Sequence, residues 1–113
     1  MDIRDLLLKN VMIMDLKGTS KEAVIDEMVA KYHAEGIVTD ENEYRQDILK
    51  REAESTTGIG EGIAMPHAKD SAVTRATVLF AKSDQGVDFN ALDGQPVHLF
   101  FMIAAPEGAN NEH

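Results

Sequence analysis

The residue with the clearest chemical potential is His67, which follows Pro66 at the end of a glycine-rich segment. Proline fixes its own φ and favours extended geometry in the residue before it, so the imidazole sits on a stiff lead-in. A neutral imidazole has one nitrogen with a free lone pair, and a hydrogen bond from the other nitrogen to a carbonyl holds a single tautomer. A histidine presented in this way is suited to attack phosphorus.

Three glycines, Gly58, Gly60 and Gly62, precede this histidine. Because glycine permits sharp bends and brings backbone N–H groups close to an anion, the segment predicts a phosphoryl-binding loop. The spacing matches neither the dinucleotide-binding fingerprint nor the P-loop signature. Taken alone, a glycine triplet is more often a plain loop, and a lone histidine after proline is more often a surface residue.

The other histidines predict different roles. His33 falls late in a predicted helix, so we expect it on the solvated face. His98 falls inside an apolar segment, where a structural role with a satisfied hydrogen bond is expected. A zinc site made of His67, His98 and His113 is disfavoured, because no pair of these ligands has tight helical or turn spacing. We therefore expect no metal and no cofactor.

Two capping patterns predict helices in the first half of the chain. Thr19 and Glu22 match a capping box, and apolar residues at helical spacing follow as far as Gly36. Asp40 is the expected cap of a second helix that runs to about Glu54. These local signals place two helices before the glycine-rich segment.

The second half of the chain predicts strands. Apolar runs at 76–81 and 97–104 are nearly continuous, as in strands covered on both faces, and shorter strands are expected at 11–16 and 63–65. We predict an α/β fold, with a mixed β-sheet flanked by helices on both faces, as a single domain spanning 1–113. The last four residues resemble the start of a helix, so the domain is expected to lack its C-terminal helical part.

Composition excludes several classes of function. The chain has 113 residues and a formal charge of −9, without the clustered basic residues that nucleic-acid binding requires. The acidity is typical of a soluble protein, or of one steered toward a partner with a basic face. It has no cysteine, no signal-peptide pattern and no apolar run longer than seven residues, so we expect a cytoplasmic protein without direct membrane insertion.

The segment GIGEGIAMPH at 58–67 resembles the active-site segment of enzyme IIA of the phosphoenolpyruvate-dependent sugar phosphotransferase system, in its fructose–mannitol family. The segment 87–106 resembles a later strand segment of that family, and the terminal Asn-Glu-His resembles a helix start in it. The resemblance covers essentially the whole chain. It implies the mixed sheet with flanking helices that the patterns also predict.

The resemblance further implies roles for particular residues. His67 aligns with the histidine that accepts a phosphoryl group from the phosphocarrier protein HPr and donates it to a IIB domain. His113 aligns with a second active-site histidine, and Arg51 aligns with an arginine near the pair. The residues of the motif favour a fructose-type carrier in sugar uptake. The resemblance does not decide whether the native polypeptide also contains the IIB and IIC domains.

Two alternatives remain at this point. One is a regulatory IIA-like domain, of the nitrogen type or associated with a transcriptional antiterminator, in which phosphorylation is a signal. The other is a non-catalytic module that binds a sugar or nucleotide. Neighbouring genes would separate the carrier from the regulator, and a phosphotransfer assay with HPr would eliminate the binding module.

Overall fold

The computed structural model describes residues 11–108. A short strand, two helices and then a β-rich half follow one another along the described residues, and the helices lie before the glycine-rich segment as the sequence predicts. The helices are α1 (Lys21–Ala34) and α2 (Glu41–Glu54). The strands are β1 (Met12–Ile13), β2 (Gly58–Gly60), β3 (Ile63–Ala64), β4 (His67–Asp70), β5 (Thr77–Val87) and β6 (Val97–Pro106).

The helix boundaries follow from local chemistry. The Asp40 side chain accepts a hydrogen bond from the backbone N–H of Glu43 at 3.0 Å, which confirms the predicted cap of α2. The predicted cap of α1 is wrong by one residue, because Ser20 rather than Thr19 accepts from the N–H of Ala23, at 3.1 Å. Gly36 follows the helix with a φ of +77°, a conformation that glycine adopts without a Cβ penalty.

The six strands form one mixed sheet, which confirms the predicted α/β architecture. The strand order is β1-β5-β6-β3-β2, and β4 also pairs with β6. Strand β6 is antiparallel to β5 and parallel to both β3 and β4. Within β5 the pairing register with β6 shifts between Lys82 and Val87, and Gly86 there has a φ of +85°.

One face of the central strands forms the core together with the buried sides of both helices. Leu79 and Met102 are fully buried on this face. The Tyr32 hydroxyl donates to the Met102 carbonyl at 2.5 Å, and its ring packs edge to face on Tyr44 with 6.0 Å between centroids. These contacts hold α1 and α2 against the sheet.

The opposite face is half-buried, and its rings include Phe80 and Phe101 with 5.3 Å between centroids. The apolar runs predicted strands covered on both faces, and along β5 buried positions alternate with half-buried or exposed ones. Helical cover on this second face stays a prediction. Within residues 11–108, neither helix has the length and apolarity needed to cross a membrane.

Candidate active site

His67 is the first residue of β4 and lies beside Ile103 of β6. Pro66 is buried, and its carbonyl accepts a hydrogen bond from the N–H of Ile103 at 2.9 Å. The Met65 N–H donates to the carbonyl of Thr57 at 3.0 Å. The lead-in to His67 is therefore held on both sides, and the exposed imidazole projects from a fixed backbone.

The two ring nitrogens of His67 differ in their surroundings. Nδ1 lies 3.0 Å from the carbonyl oxygen of Met65. A carbonyl only accepts hydrogen bonds, so Nδ1 must carry the proton in this contact. The neutral ring then has its lone pair on Nε2. This is the single-tautomer arrangement expected of a nucleophilic histidine.

Arg51 lies in the last turn of α2 and lines the same cleft as His67. Its Nη1 donates to the Ser55 carbonyl at 2.7 Å, and the side chain is half-buried. Arg51 and His67 both line an open cleft of about 500 Å³ on the half-buried side of the sheet. The structure thus brings together two of the three residues to which the resemblance gives catalytic roles.

The walls of this cleft are mostly apolar around a few polar groups. Ile59 and Met65 are 53% and 37% exposed, so the cleft has an apolar rim open to solvent. The polar residues of the lining are Arg51, Thr56, Thr57, His67 and Lys69, and the apolar ones are Ile59, Met65, Ala68, Ile103 and Ala105. Exposed apolar groups beside a reactive side chain are typical of a surface that meets another molecule.

A second, shallower cleft of about 310 Å³ adjoins His67 and Arg51 and contains further charges. Lys50 and Lys69 line it together with three acidic residues, among them Asp47. The surroundings of His67 therefore contain several cations although the chain as a whole carries −9. The three cations attract an anionic group such as a phosphoryl, and the three acidic residues of the same cleft oppose that attraction.

Asp47 belongs to a small group of neighbouring carboxyls. A hydrogen bond with Asp70, with a smaller contribution from burial, raises the pKa of Asp47 to about 6. Burial by itself would raise the pKa of Asp70, but hydrogen bonds from Asp47, Glu43 and the Ala72 N–H outweigh it and lower the pKa. Asp70 is the last residue of β4, the strand that begins with His67, and Asp47 approaches it from α2.

The three glycines lie elsewhere, and none lines either cleft. Gly58 and Gly60 begin and end β2, and Gly60 approaches Asp93. Gly62 lies at the far end of the hairpin beside His98. Their positions meet the needs of a tight β-hairpin, in which both Gly60 and Gly62 have positive φ. The structure does not bring these glycines together with His67, and phosphoryl binding by them stays a prediction.

The other histidines differ from His67 in their position and hydrogen-bond partners. His33 is exposed with its Nδ1 2.9 Å from the Val38 carbonyl, which confirms the expected solvated position. The Nδ1 of His98 lies 2.9 Å from the Ser83 carbonyl, so its expected structural partner is present, although the side chain is exposed. His113 lies outside the described residues. Within residues 11–108, no cluster of three or more His, Cys, Asp or Glu is arranged to hold a metal.

Sequence reasoning missed two residues of this region. Lys69 follows His67 by two positions in β4, and a strand period of two places both side chains on one face, which was a usable signal. Glu52 is 8% exposed and hydrogen-bonded to Thr57. Its role was hidden, because nothing local marks which glutamate of an acidic helix faces inward.

This chain is similar in sequence to several known proteins. The family model described as "Phosphoenolpyruvate-dependent sugar phosphotransferase system, EIIA 2" matches residues 5–113. The PTS system fructose-specific EIIABC component of Bacillus subtilis (strain 168) is 50% identical over 113 residues, covering 100% of this chain and 18% of that protein. A nitrogen regulatory protein of Bradyrhizobium diazoefficiens is 39% identical over 113 residues, covering 100% of this chain and 73% of that protein.

A solved structure extends the comparison to the fold. The mannitol enzyme IIA of Escherichia coli, solved in complex with phosphorylated enzyme IIB, has a TM-score of 0.74 and 28% identity, over 89% of this chain and 71% of that one. The chain spans less than a fifth of the Bacillus protein and about three quarters of the Bradyrhizobium one. The resemblance drawn from the sequence is confirmed, and the chain belongs to the EIIA 2 family of the phosphoenolpyruvate-dependent sugar phosphotransferase system.

Proposed function

We propose that this chain is the phosphoryl carrier of a sugar phosphotransferase system, and that Nε2 of His67 is the atom that carries the group. The observation on which the proposal rests most is the 3.0 Å contact between Nδ1 of His67 and the Met65 carbonyl, which leaves the lone pair on Nε2. The family membership supports phosphoryl transfer as the activity.

In the proposed reaction the Nε2 lone pair forms a bond to phosphorus as the bond from phosphorus to a donor imidazole breaks in line. The donor nitrogen leaves with the electron pair of that bond. Nδ1 keeps its proton, so the phosphorylated His67 ring carries positive charge, which the Met65 carbonyl stabilises. The same step in reverse, with an acceptor in place of the donor, passes the group on.

The charge that develops on the three phosphoryl oxygens needs donors rather than further covalent chemistry. Arg51 and Lys69 share the cleft with His67 and are the cations suited to this task. His113 is proposed to assist them, on the resemblance alone. We propose no metal or nucleotide, because a phosphohistidine donor already carries the activated group.

The partners follow from the same proposal. The apolar rim formed by Ile59 and Met65 suits a protein donor that covers the site and excludes water. We propose a IIB domain as the acceptor, since the mannitol enzyme IIA was solved with phosphorylated IIB. Membership of the family supports HPr as the donor and the cytoplasm as the location. The EIIABC name of the Bacillus relative supports a fused arrangement with IIB and IIC in the native context.

The sugar is proposed to be fructose, because the Bacillus relative that is 50% identical is named fructose-specific. A regulatory role is the second candidate. It is favoured by the nitrogen regulatory protein that is 39% identical and of which this chain covers 73%. In that case the same phosphorylation of His67 is a signal and is not followed by sugar transfer.

The test is phosphorylation by phosphoenolpyruvate, enzyme I and HPr, followed by addition of a fructose-type IIB domain. The wild type should gain one phosphoryl group and lose it to IIB, whereas folded His67→Ala should gain none. Stable retention of the phosphoryl group in the presence of IIB would favour the regulatory role. Absence of uptake by the folded wild type would refute the carrier and leave the binding module.

A further inference from the structure

Glu52 follows Arg51 on α2, and its side chain is buried inside the protein whereas that of Arg51 is half-buried. It is 8% exposed, and within residues 11–108 its carboxylate contacts hydrogen-bond donors of Thr57 and Lys21. Oε1 accepts from the Thr57 N–H at 3.2 Å and from the Lys21 ammonium at 3.0 Å, while Oε2 accepts from the Thr57 hydroxyl. Both carboxylate oxygens are therefore engaged by charged or strongly polar partners.

Thr57 connects this carboxylate to the active-site histidine. Its carbonyl accepts from the Met65 N–H at 3.0 Å, and the Met65 carbonyl in turn lies 3.0 Å from Nδ1 of His67. Glu52 and His67 are thus the two ends of a continuous series of hydrogen bonds through Thr57 and Met65. Every link joins a donor to an acceptor.

We propose, on the basis of the function proposed above, that Glu52 is a positioning residue for His67. By holding Thr57 it fixes the backbone of Met65 through the Met65 N–H, and the Met65 carbonyl sets the tautomer and orientation of the imidazole. Glu52 acts through Thr57 and Met65 and does not touch the phosphoryl group. Lys21 holds the carboxylate in place from α1.

The surroundings of the ion pair explain why it fixes geometry. The Lys21 and Glu52 side chains are 15% and 4% exposed, and the Lys21 ammonium lies 4.7 Å from the centre of the Phe89 ring. A buried ion pair contributes little net stability, because its desolvation cost offsets its attraction. Its ordered contacts do restrict the conformation of whatever they hold, which here is the segment before β2.

The hydrogen bond to Thr57 is the contact made by the Met65 backbone N–H itself, and the other attachments lie at the residues before and after it, Ala64 and Pro66. The Pro66 carbonyl accepts from the Ile103 N–H, which ties the segment to β6. Without Thr57 in place, the Met65 N–H loses its acceptor, and Met65 is positioned only through its neighbours Ala64 and Pro66. A small displacement of the Met65 carbonyl would weaken the contact that selects the Nδ1–H tautomer of His67.

Two sets of variants test this inference. Thr57→Val removes the hydroxyl donor at similar shape, and Thr57→Ser keeps it. Glu52→Gln combined with Lys21→Met removes both charges, so that neither is left buried without a partner. Glu41→Gln, at an exposed glutamate of the same helix, is the matched control. Nitrogen-15 NMR of the His67 ring measures the tautomer, and single-turnover transfer from phosphorylated HPr measures the rate.

Thr57→Val and the double variant should shift the ring nitrogens toward mixed tautomers. They should also slow transfer by about ten- to a hundredfold, since small misplacements near a transferring group cost up to about a hundredfold. Thr57→Ser and Glu41→Gln should keep both wild-type values. Wild-type tautomer and rate in folded Thr57→Val would overturn the inference, and this variant decides the matter if the double variant does not fold. Failure of the wild type to become phosphorylated would instead refute the proposed function, while the NMR measurement would still test the positioning.

Discussion

Replacing Arg51 with lysine should slow phosphoryl transfer much more than it destabilises the protein. The arginine has two connections, one to the end of α2 through Ser55 and one to the cleft that contains His67. Lysine keeps the positive charge but has a single ammonium group in place of a planar fork of donors. The two connections should therefore be affected to different extents by Arg51→Lys.

The magnitudes follow from the contacts. The hydrogen bond from Nη1 to the Ser55 carbonyl, 2.7 Å long on a half-buried side chain, should contribute about 1 kcal/mol to the free energy of unfolding. Lysine retains the favourable charge at the helix end, which reduces this loss. One missing charge-assisted bond to a phosphoryl oxygen costs about 1.5 to 3 kcal/mol. At about 1.4 kcal/mol per factor of ten, the transfer rate should fall by roughly ten- to a hundredfold.

Urea unfolding and single-turnover transfer from phosphorylated HPr measure the two effects on the same protein. Arg45→Lys is the matched control, because Arg45 is on the same helix, donates to the Asn42 side chain at 2.6 Å and pairs with Asp26 at 3.4 Å. The control should lose a similar amount of stability and keep the wild-type rate. An unchanged rate in Arg51→Lys would refute the reasoning and would reduce Arg51 to a cation at the end of a helix.

Three further predictions concern residues away from the transferring nitrogen. His98→Gln should leave phosphoryl uptake unchanged, since the His98 ring is bound to a backbone carbonyl at the other end of β6; loss of uptake in a folded variant would assign it to the site. Because the folded pKa of Asp47, about 6, lies above the ordinary 3.8, its contribution to stability is present below about pH 4 and is lost as the pH rises through 6. Asp47→Asn should therefore gain stability relative to the wild type across this interval, on the order of 1 kcal/mol after screening by solvent, and a pH-independent difference in urea unfolding would contradict this. Tyr32→Phe should lower the free energy of unfolding by about 1 to 3 kcal/mol, because its hydroxyl is bonded to the buried Met102 carbonyl. Tyr44→Phe, which removes a longer bond of 3.4 Å, should cost less, and equal costs would be the contrary result.

Features determined by neighbouring residues were predictable from the sequence. Asp40 caps α2 because a carboxylate three residues before an N–H reaches it without tertiary help. The presentation of His67 was predictable for the same reason, because Pro66 and the Met65 carbonyl are adjacent to it in the chain. The cap of α1 is Ser20 and not the predicted Thr19. Both residues have the required hydroxyl, and only the packing of the helix decides between them.

Features that depend on strand pairing or on how the helices pack were not predictable from the sequence. The glycines were expected near His67 because they are near in sequence, but the β2–β3 hairpin carries Gly62 toward His98. The inward direction of Glu52 depends on how α2 packs, and the same is true of its pairing with Lys21 from another helix. Only the family resemblance predicted that Arg51 lies near His67, since no local rule joins residues so far apart in sequence.

The measurement that tests the central claim most directly is the location of the phosphoryl group on the protein. After incubation with phosphoenolpyruvate, enzyme I and HPr, peptide mass spectrometry under basic conditions identifies the residue, and nitrogen-15 NMR of the phosphorylated ring identifies the nitrogen. We predict an acid-labile, base-stable phosphoryl group on Nε2 of His67, with Nδ1 still protonated beside the Met65 carbonyl. A phosphoryl group on His33, on His98 or on Nδ1 of His67 would contradict the account.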